Sequence, residues 1–404
     1  MKNLSIWLPP FSPDYSGAAS VMFDFNALTA MHDAAGCTGN YTGYDEPRWY
    51  NSERNIFCSG LREIDAVLGN DKVLIDKVIA AAKSLKPELL ALIGTPVPML
   101  IGTDLKGLAK ELEAESGLPA IGIETTGTAY YDKGIFSAWK ELIDKFADFD
   151  GEKNGGSSAS KKRVNIIGAN PIDFVRSENI EGLKRLLTQA DFTVNFCATE
   201  KLTAQNVKML GRAQANIAVS QAGLSIADYL YKKGGMPYIA GYPVGEAECA
   251  LFVQKLEDVC SRKENCVWGA ESGRTESEPA SVLCLGEQIF CNSLRCALKR
   301  RYGIDDICVG AIFGFRKEAA QTGDTALRDE SEIKAHINKA EFKAVIGDPF
   351  FKNLLKKSEQ KAFIEVPHFG VSSKFHRKDA PYFIGEGGNA FLQTVGEQVN
   401  RALQ

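Results

Sequence analysis

The stretch LLALIGTPVPMLIGTDLKGLAKELEAESGLPAIGIETTG, residues 89–127, decides the fold class. LLALIG (89–94) is a short apolar run with the length of a strand buried on both faces. TPVPML reads as a loop, because its two prolines argue against helix. Thr103 then reads as the cap of a helix, DLKGLAKELEAESG, in which Leu105, Leu108 and Leu112 share one apolar face. PAIGIETTG supplies the next strand and the loop after it. Strand, helix and strand in this order predict an α/β protein with mainly parallel sheets.

The same alternation covers nearly the whole chain. GEKNGGSSASKKR (151–163) holds Gly, Ser and charge without apolar anchors, and reads as a linker or mobile loop after a first unit, 1–150. VNIIGANPIDF opens a second unit, 164–278, which continues through FTVNFCATE, ANIAVS and PYIAGYPVG. ASVLCLGEQIF opens a third, 279–404, with ICVGAIFG, FKAVIGDPFF and AFIEVPHFG. Three α/β units suit 404 residues, since a domain takes roughly 150. Several strands end in Gly followed by polar residues (IGTP, IGANP, LGEQ, IGDP), and such loops at the carboxyl ends of parallel strands face ligand sites. None is a GxGxxG or Walker A loop, so a nucleotide held by this chain is disfavoured.

Composition narrows the partners. There are 47 basic and 51 acidic residues, a formal net charge of -4, and no basic stripe, which argues against nucleic acid. The N-terminus, MKNLSIWLPPFSPDYSG, has an apolar run cut short by Pro9 and Pro10 and reads as neither signal peptide nor membrane anchor. No apolar run approaches the roughly 18 residues of a spanning helix. A cytoplasmic protein is expected. Its ten cysteines then suit buried thiols, metal ligation or catalysis rather than disulfides, and the lack of any CxxC pair removes zinc-ribbon and thioredoxin readings.

Four stretches together resemble the nitrogenase component 1 family. SGAASVMFDFNALTAMHDAAGC (16–37) is similar to the family's N-terminal helix leading to a glycine-flanked cluster cysteine, here Cys37. CSGLREIDAVLGNDKVLIDKVIAA (58–81) resembles the segment that follows it, and LLALIGTPVPMLIGTDLKGLAKEL its strand, cysteine-proline loop and helix start. VIGDPFFKNLL with IEVPHFGVSSKFHRKDAPYFIG resembles its last domain. The resemblance implies three Rossmann-like domains with mainly parallel sheets. It also shows departures. Thr95 stands where the family's loop offers a further cluster cysteine, and Ser220, in QANIAVSQAG, where molybdenum nitrogenase has its cofactor cysteine. No iron-molybdenum cofactor is therefore expected.

What the resemblance implies about chemistry is an iron-sulfur cluster, a four-iron cubane or a larger one, shared between two chains. A four-iron cubane takes four ligands, usually thiolates, and one chain places only Cys37 and Cys58 well, so a homodimer or paralogous heterodimer would complete the set. Gly36 and Gly39 would let backbone approach the cluster, with Thr95 lining the same place. Electrons would come from a separate iron-protein-like ATPase, and an unidentified substrate, tetrapyrrole or small organic, would be reduced in an oxygen-sensitive enzyme. The alternatives are a scaffold for cofactor assembly and a cluster-free binding protein of the same fold.

Other candidates are fewer. His368, in VPHFG, matches a family position where a histidine reaches the active-site cavity. Glu124 and Asp348 follow strands and could donate protons, although Asp348 before Pro349 is also a helix-cap pattern. Tyr130 and Tyr131 are ambiguous in the same way. His32 reads as a structural residue near the cluster cysteines, following a helical run. Cys197, Cys284 and Cys308 interrupt strand patterns and read as core. Cys291 and Cys296, five apart on a helix, face different directions, and Cys249, Cys260 and Cys266 are a weak second metal candidate.

Overall fold

A computed structural model describes residues 5–51, 55–149, 162–199, 202–270, 280–356 and 361–404. Most of the expected linker lies outside these, and its last two residues, Lys162 and Arg163, open a strand. Among the described residues there are three sheets, and every strand pair in them is parallel.

The first sheet has β1 (Ala27–Met31), β2 (Ile56–Cys58), β3 (Leu89–Ile93) and β4 (Ala120–Ile123) in the order β2-β1-β3-β4. The second has β5 (Lys162–Ile167), β6 (Phe192–Cys197), β7 (Ala215–Ala218), β8 (Tyr238–Ala240) and β9 (Cys266–Val267) in the order β6-β5-β7-β8-β9. The third has β10 (Val282–Gly286), β11 (Ile307–Ala311), β12 (Thr325–Ala326), β13 (Ala344–Gly347) and β14 (Ala362–Glu365) in the order β12-β11-β10-β13-β14. In each sheet the strand order turns back beside its first strand. Ligands in open α/β sheets bind outside the carboxyl ends of strands at such a switch point. The loops after β1 and β3, β5 and β7, and β10 and β13 are therefore the ones to inspect.

Burial on both faces explains the apolar strand sequences. Along β1 and β3, Leu28, Ala30, Leu90 and Leu92 join a core with Ile75, Leu105, Leu108 and Leu112. The alternate residues Met31, Leu89, Ala91 and Ile93 join the core that contains Ala18, Met22 and Ile135. A strand of period two thus serves two helix layers at once.

Several local expectations change. TPVPML is not a loop: Pro96–Ile101 is a helix with Thr95 before it. Pro96 is at its first position and Pro98 is still in its first turn, where the backbone N–H has no intrahelical acceptor to lose. The next helix, Leu105–Ser116, is capped by Asp104, whose Oδ1 accepts from Gly107 N at 2.9 Å, and not by Thr103. The N-terminal helical run stops at Phe23, and β1 carries the chain to His32. Gly36–Asn40 forms a short helix, continued by a π-type turn, Tyr41–Asp45.

The helices Asp14–Phe23 and Tyr131–Phe146 cross backbone against backbone. A Cβ on Gly134 would lie 1.6 Å from Asp14 O, and one on Gly17 would lie 2.0 Å from Tyr131 O. Gly134→Ala must push the helices apart and is expected to cost about 3 kcal/mol. A chemical-denaturation midpoint equal to wild type would show that the crossing can relax.

Candidate functional site

The two cysteines singled out from the sequence lie at one edge of the first sheet. Met31 pairs with Cys58 in the register of β1 and β2, so the chain leaves both strands at the same level. After β1 come His32, Asp33 and the helix bearing Cys37. Both thiols are half-buried and free, and they are close enough for the charge of Cys58 to act on Cys37. Burial foremost, then Asp33, pushes the Cys37 thiol up.

The loops around them are held by side-chain hydrogen bonds. Asp33 Oδ2 accepts from Thr38 N at 2.9 Å and Thr38 Oγ1 at 3.0 Å, which fixes the helix of Cys37. Cys58 Sγ donates to Asp33 O at 3.3 Å and accepts from Gly60 N at 3.4 Å. His32 Nδ1 is 3.0 Å from Ser59 Oγ, and its carbonyl accepts from Thr95 Oγ1 at 2.7 Å. Thr95 is wholly buried with its hydroxyl directed into this bond, so it positions the loop rather than facing the surface. Gly36 and Gly39 are exposed, and a Cβ on either would meet nothing within 4 Å. Nothing inside the chain requires glycine there.

The same edge exposes apolar side chains. The helix Glu63–Leu68 after β2 exposes Ile64, Val67 and Leu68, the last two by 76% and 69%. The helix after β3 exposes Met99, Leu100 and Ile101, with Leu100 at 77%. Apolar side chains this exposed on the elements flanking one site mark an interaction surface.

Asp45 closes the segment that carries Cys37. Its buried carboxylate accepts from Ser12 Oγ at 3.0 Å, Ser16 Oγ at 2.7 Å and Asn40 Nδ2 at 2.6 Å. Burial pushes its carboxyl up to about 6. The folded value exceeds the unfolded one, so this stabilising contribution is full below the ordinary carboxylate range and is lost as pH rises through about 6. Asp45→Asn is therefore expected to gain about 2 kcal/mol relative to wild type between pH 4 and pH 7. Paired thermal melts at the two pH values check it, and a constant difference would refute it.

A second constellation lies where the three sheets meet. His368, after β14, places Nε2 3.3 Å from Asp173 Oδ1 and 3.4 Å from Tyr131 Oη. Its Nδ1 accepts from Gly370 N at 3.1 Å, so the ring proton sits on Nε2 and is directed at Asp173. Tyr131 Oη also donates to Asp173 Oδ1. Asp348 accepts from His368 N and Phe350 N, both at 2.9 Å; it caps its helix and holds the histidine loop, with its carboxylate occupied by backbone. Glu287, of LGEQ, caps the helix that follows it and accepts from Gln221 N at 2.6 Å, Ile289 N at 3.1 Å and Phe290 N at 2.7 Å. Burial first, and Asp173 second, push its carboxyl up to about 8 against those three N–H groups.

Three of these groups border a narrow cleft. Asp173, Glu287 and His368 line it with Phe174, Tyr242 and Phe290. The sequence-predicted His368 is thus brought to a cavity, with Asp348 behind it and Tyr131 beside it. Glu124 is not: it is exposed on the first unit, 3.4 Å from Lys106 Nζ. Sequence reasoning misses Asp173 and Glu287, although IGANP and LGEQ mark their two loops as facing a site. Cys284, Cys291, Cys296 and Cys308 are buried, with Cys291 beside Cys284 and Cys296 donating to Glu248 at 3.6 Å. Among the described residues no group of three or more His, Cys, Asp or Glu is arranged to hold a metal, the trio Cys249, Cys260 and Cys266 included. No helix among the described residues is long and apolar enough to cross a membrane.

Both the sequence and the fold have relatives among known proteins. Residues 13–278 match the family model described as nitrogenase component 1 type oxidoreductase. A subunit of the light-independent protochlorophyllide reductase of Synechococcus sp. (strain JA-2-3B'a(2-13)) is 20% identical over 366 residues, covering 81% of this chain and 70% of that one. The corresponding subunit from Acaryochloris marina is 23% identical over 364 residues with the same coverage. Among solved structures, one titled nitrogenase Cp1 at pH 6.5 superposes with a TM-score of 0.70 at 15% identity, covering all of this chain and 94% of that chain. That likeness is one of fold.

Proposed function

The chain belongs to the nitrogenase component 1 type oxidoreductases, and from that premise we propose that it is a reductase component whose Cys37 and Cys58, doubled across a two-chain interface, hold one iron-sulfur cluster. The observation that carries this is the placement of both cysteines on one exposed edge, flanked by helices with bare apolar side chains. One chain offers two thiols there, and a second copy or a paralogue placed about a two-fold axis would offer the other two. Exposed Gly36 and Gly39 leave room for a body seated between the chains. When bound, the cluster supplies one-electron relay at low potential.

The chain's own residues do the rest. Asp33, Gly60 and Thr95 fix the two thiols at the ends of adjacent strands, and the apolar helices exclude water from the interface. Substrate enters the cleft bordered by His368, Asp173 and Glu287, where His368 Nε2–H stands as a proton donor and Tyr131 Oη–H, donated to Asp173, lies behind it. Electrons come from a separate iron-protein-like ATPase, in keeping with the lack of phosphate-binding motifs here. Ser220 supports a reaction without iron-molybdenum cofactor: its hydroxyl accepts from Gly223 N at 3.1 Å in the helix it caps and donates to Gly168 O at 2.9 Å in the loop after β5. A small organic substrate suits the narrow cleft better than a tetrapyrrole.

Anaerobic purification with iron and sulfide counting, EPR and native mass tests the proposal. A dimer with matching iron and sulfide and a reduced-state cluster signal is expected. A colourless monomer free of iron and sulfide would overturn it.

A further inference from the structure

We propose that the cleft takes a flat, largely apolar ligand that presents a protonated nitrogen, of the amidinium or iminium kind, to Asp173 and Glu287. The inference deepens the reading above and rests on it for treating the cleft as the substrate site.

The walls and the floor of the cleft differ in chemistry. Phe174, Tyr242, Phe290 and Phe383 form an aromatic wall in which Tyr242 and Phe383 stack at 5.5 Å between centroids. Aromatic faces attract cations and flat apolar bodies alike. The floor carries two carboxyl groups. Asp173 has a side chain only 6% exposed; Oδ1 accepts from Tyr131 and His368, while Oδ2 is buried with no donor among the described residues. An unmatched buried acceptor of this kind costs about 1–3 kcal/mol until a ligand supplies the donor.

Positive charge is missing where the carboxyls need it. Arg176 lines the cleft, but its guanidinium is committed to Ala380 O, Lys378 O at 3.0 Å and Tyr382 Oη at 3.2 Å, and lies over the Tyr382 ring. It ties down the 378–382 loop instead of neutralising the acids. Glu287 receives backbone N–H groups alone, and Asp173 receives a phenol and an imidazole. An N–H-bearing cation between Asp173 Oδ2 and Glu287 would satisfy the empty acceptor and offset the burial, and after it the Asp173 charge, that raise Glu287. A carboxylate-bearing ligand would set a second negative charge beside Asp173 in a buried site.

The test uses three probes of one shape, benzamidinium, benzyl alcohol and benzoate, titrated calorimetrically into the full chain at neutral pH. Benzamidinium is expected to bind at least about tenfold more tightly than benzyl alcohol, and benzoate more weakly than either. Asp173→Asn and Glu287→Gln should each weaken benzamidinium by about tenfold and leave benzyl alcohol unchanged. A test free of substitutions uses pH. Glu287 is faced by Asp173, Tyr131, Tyr242 and Cys291, with His368 on Asp173, and burial holds the tyrosines and the thiol well above their ordinary ranges. Benzamidinium affinity should therefore rise as Glu287 ionises near pH 8. Benzoate binding as tightly as benzamidinium, no benzamidinium binding, or affinity flat in pH would overturn the proposal. Iron-free protein that still binds benzamidinium would overturn the cluster reading alone.

Discussion

Asp324→Ala is expected to destabilise the protein by about 3–5 kcal/mol, the cost of leaving a buried guanidinium without its partner. Arg295 and Asp324 are paired through two bonds, at 2.7 and 3.0 Å, with side chains 3% and 0% exposed. Asp324 also accepts from Val309 N and Gln321 N, both at 2.8 Å. The carboxylate therefore joins three pieces: β11, the turn that leads to β12, and the helix Gln288–Tyr302. That helix begins at Glu287, so the ion pair also fixes the acid that borders the cleft. Replacing both partners, as Arg295→Met with Asp324→Leu, should recover the charge part of the loss. It should not recover the part owed to the two N–H groups, which remain without an acceptor. A midpoint of chemical denaturation within experimental scatter of wild type for Asp324→Ala would show that water or another group reaches Arg295.

How much of this is legible in the sequence follows from what each pattern encodes. LLALI, VLCLG, AVIG and ANIA are buried on both faces, so their apolar runs announce parallel strands directly. ALTAM is buried in the same way, yet Ala, Leu and Met are also the strongest helix formers, and β1 therefore reads as part of the preceding helix. The two-residue strands β9 and β12 carry no periodicity at all. Pro96 and Pro98 mislead because proline forbids the interior of a helix but not its first turn.

The two candidate places differ for a physical reason. Cys58 ends β2 and Cys37 follows the neighbouring β1, so a resemblance over one short segment reaches both. The groups at the cleft are assembled from distant segments: Tyr131 and Asp173 are 42 residues apart, and Asp173 and His368 are 195 apart. Strand-end glycines show which loops leave the sheets. Only the packing of the sheets against each other decides which of those loops share a cavity.

Cys37→Ala is expected to remove nearly all iron from the anaerobically purified protein while leaving its melting temperature close to wild type. The size of the effect follows from symmetry. In a homodimer one substitution deletes two of the four thiolates around the shared cluster, which leaves too few ligands for a cubane. The small effect on stability follows from burial, since Cys37 is half-exposed and only its thiol is lost. Cys58→Ala should behave alike, although it also frees Asp33 O and Gly60 N, which bond to the thiol. Cys284→Ala is the opposite control: that thiol is 1% exposed in the third unit, so its loss should lower the melting temperature and leave iron unchanged. Full iron in the Cys58 variant would remove it from the ligand set, and Cys37 with its copy would then supply only two thiolates. In a homodimer, half the wild-type iron in either variant would exclude a shared cluster, because a site built within each chain loses one ligand, not two, when one cysteine is changed.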